Sequence, residues 1–158
     1  MGEAMPAAAV SDWRDNLVDD DAGLREILLS AKRIAVLGIK DERRSWEPAF
    51  FVARYMQEVG YEIVGINPGV EESLGRPVLA SLSAVEGPID ILDVFRSDEN
   101  IPAHVQEVLS MAEPPKVFWM QLGIRHEEAA RALAQAGIQV VQDRCILVEH
   151  RRLVTRGG

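Results

Sequence analysis

The chain predicts an α/β fold: a mainly parallel, doubly wound sheet with helices on both faces, in a single domain. Two observations carry this. Short apolar runs rich in β-branched residues alternate, along nearly the whole sequence, with segments whose apolar residues repeat at helical spacing. The runs themselves, Ile34-Ala35-Val36-Leu37 for example, do not alternate with polar residues, as strands covered on both sides require. Right-handed crossovers between successive parallel strands then place the intervening helices on both faces.

The elements follow in order. Asp19 to Asp21 offer an N-cap for a first helix in which Leu24, Ile27, Leu28 and Ala31 recur at helical spacing, expected against the sheet edge. A first strand covers about 33 to 38, and a helix about 48 to 59. Pro48 fits the first turn of that helix, where its missing N–H costs nothing, and Gly60 stops it. On the same periodicity Phe51, Tyr55 and Met56 read as core. A second strand, about 61 to 66, ends at the turn Asn67-Pro68-Gly69. Pro77-Val78-Leu79 reads as a short strand and Ser81 to Val85 as a short helix. Ile89 to Phe95 is the next strong strand, followed by a helix over about 101 to 112 with Pro102 in its first turn. Lys116 to Met120 is a strand, Gln121-Leu122-Gly123 a loop, and 126 to 136 a helix ended by Gly137. Ile138 to Val141 forms the last strand and leads into Asp143-Arg144-Cys145 and a short helix. The domain is expected over 22–154, behind an arm at 1–21, partly disordered or helical, and ahead of a flexible tail at 155–158.

Composition narrows the function. At 158 residues the chain has room for one core and one site. A net charge of −8 argues against general nucleic-acid binding, which rests on a basic surface. No apolar stretch approaches the roughly 18 to 20 residues of a membrane span, and the start lacks a basic region and a long apolar region, so a cytoplasmic protein is expected. The single cysteine, Cys145, excludes an internal disulfide and a cysteine-rich metal site.

In a doubly wound sheet ligands bind outside the carboxyl ends of the strands, near the point where strand order reverses. After the first strand stand Gly38, Ile39, Lys40, Asp41, Glu42, Arg43, Arg44 and Ser45, a loop whose free N–H groups and cations suit phosphate. Ser45 could donate through its hydroxyl or cap the next helix. The competing reading is a solvated loop in which Asp41 and Glu42 cancel the cations. A dinucleotide site of the usual kind would show two further glycines and an acidic residue at the end of the second strand. Asn67-Pro68 stands there instead, with Glu71 and Glu72 a few residues on. Arg96 follows the strongest strand at the expected switch point, where it meets either a phosphate or a structural partner such as Asp93 or Asp143. Asp90 and Asp93 read as caps or arginine partners, and Cys145 as an inert thiol or one placed to meet a ligand thiol. His104, His126 and His150 form neither a nucleophilic triad nor a spaced metal set, so no catalytic or metal-binding residue is assigned.

The order of motifs is itself informative. Gly38 with its basic, serine-containing loop, Gly65-Ile66-Asn67-Pro68, Asp90 to Arg96, Trp119 to Gly123, and Asp143-Arg144-Cys145-Ile146 with Glu149-His150 together resemble the small stand-alone CoA-binding proteins. These are similar to the N-terminal CoA-binding domain of the succinyl-CoA synthetase α subunit. The resemblance covers roughly Ile34 to Leu153. It implies a Rossmann-like domain with coenzyme A as a small-molecule ligand across its strand ends. Gly38, Ile39, Lys40, Arg43, Arg44 and Ser45 would wrap the phosphates, and Asn67 and Pro68 would border adenine and ribose. Val94, Phe95 and Arg96 would pack the nucleotide and pantetheine, and Met120, Gln121 and Gly123 would line the pantetheine path. Many relatives carry Pro-x-Arg-x-Ser in the phosphate loop; Glu42-Arg43-Arg44-Ser45 lacks the proline, which implies a less rigid loop. The phosphorylated histidine of the synthetase lies in a domain this chain does not contain, so ligase activity does not travel with the fold. A non-enzymatic CoA or acyl-CoA binding protein, monomeric or weakly self-associating, is the expectation. The alternative is a nucleotide-dependent enzyme, either a partner-requiring CoA transferase or ligase component or an NAD(P) oxidoreductase.

Overall fold

A computed structural model of the chain describes residues 12–155. The parts of the expected arm and tail at 1–11 and 156–158 lie outside the described residues. The helices are α1 (Asp21–Ser30), α2 (Pro48–Glu58), α3 (Ile101–Leu109), α4 (Glu127–Gln135) and α5 (Ile146–His150), the last running into a π-helical turn at Arg151–Thr155. The strands are β1 (Arg33–Leu37), β2 (Glu62–Ile66), β3 (Glu72–Ser73), β4 (Arg76–Pro77), β5 (Ile91–Val94), β6 (Val117–Met120) and β7 (Gln139–Val141). Five of them form one parallel sheet in the order β2-β1-β5-β6-β7.

Successive strand residues point to opposite faces, and both faces are covered, which is why the strands read as unbroken apolar runs. On one face Ala35, Leu37, Leu92, Val94, Phe118 and Met120 pack against α3 and α4. On the other, Ile34, Val36, Ile91, Val117 and Trp119 pack against α1, α2 and α5. Leu24, Ile27 and Leu28 of α1 belong to this second cluster, so α1 covers a face rather than the expected edge. The edges are finished differently. Leu17 bridges Val140 beside β7, and Leu79 bridges Ile66 beside β2. A one-residue bridge at each edge limits the unpaired backbone open to other chains.

Several expected elements come out smaller. Of Pro77-Val78-Leu79, Pro77 pairs in the β3–β4 hairpin and Leu79 makes only its bridge. The expected helix at 81–85 is a 3-10 turn at Leu82–Ala84. The helix expected to reach 112 ends at Leu109, where Ser110 Oγ donates back to the Gln106 carbonyl at 2.8 Å. Phe51 is 36% exposed and is not core. Helix α2 buries the stripe Ala49, Val52, Ala53 and Met56, and Phe51 falls outside that i, i+3, i+4 row.

The second face is closed by polar groups that link the start of α1 to the α5 segment. Arg144 pairs with Asp19 at 2.9 Å and Glu149 at 3.3 Å, and Arg152 pairs with Asp21 and Glu149, each at 2.7 Å. His150 is buried beside them, its Nδ1 2.9 Å from the Tyr55 hydroxyl. Burial pushes the imidazole pKa below its ordinary value, so the folded chain resists a proton that the unfolded chain accepts. Stability should be flat above about pH 6.5 and decline as pH falls through the lowered value. Thermal melts of the native chain and of His150→Gln between pH 7.5 and 5, on the order of one proton's slope apart, check this. Identical pH slopes would remove His150 as the cause.

Candidate functional site

Sheet order reverses between β1 and β5, so the connections leaving these neighbours run to opposite sides and open a crevice above their carboxyl ends. Gly38 follows β1 there with φ +92°, and a Cβ built on it would lie 2.7 Å from the Phe95 carbonyl oxygen and 3.2 Å from Arg96 Cδ. Only glycine combines this backbone with so close an approach. The two loops at the switch point are thus in contact, with the Arg96 stem lying over Gly38.

The loop after Gly38 is built from behind. Ile39 is buried, the Asn67 side-chain amide donates to the Ile39 carbonyl at 2.8 Å, and Asn67 Oδ1 accepts from the Gly69 N–H at 2.9 Å. Ser73 Oγ donates to the Lys40 carbonyl at 2.7 Å, and Glu42 accepts from the Leu74 N–H at 3.0 Å. The β3–β4 hairpin therefore braces the loop, a role that sequence reading missed. Its turn places Leu74 at φ 57° and Gly75 at φ 77°, and leucine gives no signal for a left-handed residue. Ser45 does not cap α2: it is exposed in a helical conformation, and Glu47 holds the N-cap position.

Lys40, Asp41, Arg43, Arg44, Asn67 and Gly69 line a cleft of about 360 Å³. Its cations are partly matched, Arg43 with Asp41 at 3.0 Å and Arg44 with Glu47 at 2.8 Å. The Arg43 side chain holds the Asp41 carboxyl below the usual carboxylate range. Glu42, by contrast, is turned to the hairpin. Among the described residues Lys40 and Arg96 are in no ion pair. Exposed pairs of the Arg43 kind are worth little and can yield to a phosphate.

A second cleft, about 190 Å³, sits at the switch itself between Gly38, Asn67, Pro68, Ser81, Arg96 and His104. Arg96 Nε and His104 Nε2 are buried there without hydrogen-bond partners, while His104 Nδ1 meets Glu107 at 2.7 Å. The structural partners considered for Arg96 are not used. Asp143 accepts from the Gly123 N–H at 2.6 Å. Asp93 stands opposite Val36 and Trp119 in the register, fully buried, with neither carboxylate oxygen hydrogen-bonded. Burial raises its pKa well above the ordinary value and so favours the neutral acid. Among the described residues Asp90 caps no helix and pairs with no arginine: although partial burial opposes it, the Arg33 and Lys32 N–H groups at the start of β1 and the Lys116 ammonium lower its pKa.

A third cleft, about 420 Å³, lies at the ends of β6 and β7 and includes Leu122, Arg125, Asp143, Arg144, Cys145 and Val148. Gln121 is buried beneath it, its side-chain oxygen accepting from the Ile146 N–H at 3.1 Å. Gly123 turns the loop at φ +88°. Met120 and Val94 direct their side chains into the core below, so each can offer the site only backbone. Phe95 packs against the second core cluster. The largest of these clefts, about 590 Å³, runs from Leu82 and Glu107, which also line the switch-point cleft, to Gly87 and Met111 at the amino ends of the strands. Size does not favour it, because loop N–H groups and helix N-termini converge at the carboxyl ends. Among the described residues no helix is long and apolar enough to cross a membrane.

Sheet and switch point define a Rossmann-like α/β domain whose candidate site runs along the strand ends. The sequence matches the model of the CoA binding domain over residues 32–151, and the chain belongs to that family. It is 43% identical over 129 residues to an uncharacterized protein of Bacillus subtilis (strain 168), YneT, covering 82% of this chain and 93% of that one. Among solved structures, a Thermus thermophilus protein, cell-free ID.343, superposes with a TM-score of 0.79 at 44% identity, covering 85% of this chain and 99% of its own. A hypothetical protein of Pyrococcus horikoshii OT3 gives 0.77 at 30% identity, covering 86% and 93%.

Proposed function

We propose that this chain binds coenzyme A, free or acylated, along the carboxyl ends of its parallel strands, as a carrier or sensor rather than a catalyst. The observation that carries the reading is the row of three clefts in strand order, with the basic loop at one end. The phosphates lie over Gly38, Ile39 and the Lys40 to Ser45 loop, and adenine and ribose lie beside Asn67-Pro68. Pantetheine passes Phe95, Arg96, Gln121 and Gly123, over the backbone of Val94 and Met120. Membership in the CoA binding domain family supports the ligand class. A diffusible ligand, a cytoplasmic setting and a monomer or weak oligomer fit the same reading.

Each of the three histidines is held through its Nδ1. Nδ1 of His104 meets Glu107, that of His150 meets Tyr55, and that of His126 accepts from the Ala129 N–H at the start of α4. None of these partners is a nucleophile of the site. NAD is the poorer fit, since the neutral amide of Asn67, which braces Ile39 and Gly69, stands where a dinucleotide site carries a ribose-binding carboxylate. Calorimetric titration with CoA, acetyl-CoA, NAD and NADP tests the proposal. CoA or its thioester should bind alone, and tighter NAD(P) binding would remove the reading. Replacing Arg43, Arg44 and Ser45 together by alanine should weaken CoA about tenfold, because each cation must first leave its own carboxylate. Unchanged affinity would move the phosphates elsewhere.

A further inference from the structure

We infer that the preferred ligand of this site is a thioester with a short, uncharged acyl chain, seated in the cleft between Leu122, Cys145 and Val148. The inference rests on the coenzyme A reading above and specifies its ligand. Distance is the first argument. From the basic loop at the β2–β1 end of the row to the β6–β7 end is three strand separations, about 14 Å at the usual spacing. The pantetheine arm has about twelve bonds between its phosphate ester oxygen and its sulfur, an extended reach of roughly 14 Å at the advance per bond of an extended chain. The sulfur therefore arrives at the third cleft, and whatever it carries lies inside.

The walls say what that is. Leu122 is 69% and Val148 50% exposed, two large apolar side chains on one cleft of about 420 Å³. A single exposed apolar residue is ordinary, but two flanking the endpoint of a ligand's reach form a surface that an alkyl chain would dry. A free thiol would leave them in water. The rim selects against a carboxylate-bearing acyl group. Arg144, a quarter exposed, is tied to Asp19 at 2.9 Å and to the buried Glu149 at 3.3 Å, so the lining sets these two carboxylates against Arg144 and Arg125. Asp143 adds a further negative charge to the wall.

Calorimetry on the native chain with free CoA and with acetyl-, butyryl-, hexanoyl- and succinyl-CoA tests this, repeated on Val148→Asn. Affinity should rise two- to fourfold per added methylene, the upper figure being the transfer of a fully buried CH₂. Succinyl-CoA should bind no more tightly than CoA. Val148→Asn, altered at a half-exposed position, should keep its affinity for free CoA and lose most of the chain-length gradient. A flat series in the native chain, a gradient untouched by Val148→Asn, or a preference for succinyl-CoA would each overturn the inference while CoA binding stands. Absence of binding by any CoA species would overturn the coenzyme A reading together with it.

Discussion

Gly38→Ala is expected to destabilise the protein by about 3 kcal/mol or more and to abolish CoA binding. Two costs add. A residue with a side chain at φ +92° gives up roughly 1–2 kcal/mol relative to glycine. The new Cβ also meets the Phe95 carbonyl oxygen at 2.7 Å, a backbone atom of the neighbouring strand's end that no side-chain rotation can move. Forcing β1 and β5 apart at their carboxyl ends adds an overpacking penalty of about 1–3 kcal/mol. For a chain of this size that lowers the melting temperature by roughly 10 °C. The same displacement moves Arg96, whose Cδ lies 3.2 Å from the built Cβ, and distorts the entry to the basic loop. A thermal melt and a CoA titration of the variant check both. A melt like the native one would show that the contact at the switch point is not tight.

Asp93→Val should act in the opposite direction, raising stability at neutral pH by about 1–3 kcal/mol. The Asp93 carboxyl is fully buried in the central strand with no hydrogen-bond partner, so the fold carries its desolvation cost uncompensated. Valine suits a strand covered on both faces and removes that cost. The pH dependence follows from the raised pKa. What the neutral acid contributes to folding is complete below the unfolded-chain value of about 4 and is lost as pH rises through the folded-state value. The advantage of Asp93→Val should therefore be largest at neutral pH and shrink as pH falls toward 4. Chemical denaturation of both proteins at pH 7.5 and pH 4.5 measures it. An unstable variant would mean that the carboxyl has a partner the fold needs.

Both residues illustrate what the sequence discloses. The strand runs were legible because each is buried on both faces, and the switch point because the segments Ile34 to Gly38 and Ile89 to Arg96 are the strongest of them. Less visible were features that depend on where a side chain points. Ser45 reads as a helix cap, but it closes the 3-10 turn at Glu42–Arg44 in a helical conformation and leaves the N-cap position of α2 to Glu47. Val94 and Met120 sit at the strand ends beside the site, but strand alternation sends their side chains to the core. His104 looked isolated in the sequence. Only the return of α3 over the β1 and β5 ends brings it beside Arg96 and Pro68 in one cleft. The hairpin that braces the loop was hidden because its turn uses Leu74 where glycine or asparagine would have announced it.

The proposed course of coenzyme A is along the carboxyl ends of the strands, from the basic loop toward Gly123. Amide chemical shifts of the isotopically labelled chain during a CoA titration test it most directly. Saturable shifts are expected at Gly38, Lys40, Arg44, Gly69, Arg96 and Gly123, with Gly87, Met111 and Glu113 at the amino ends of the strands unmoved. Shifts confined to Gly87, Met111 and Glu113, around the largest cleft, would contradict it.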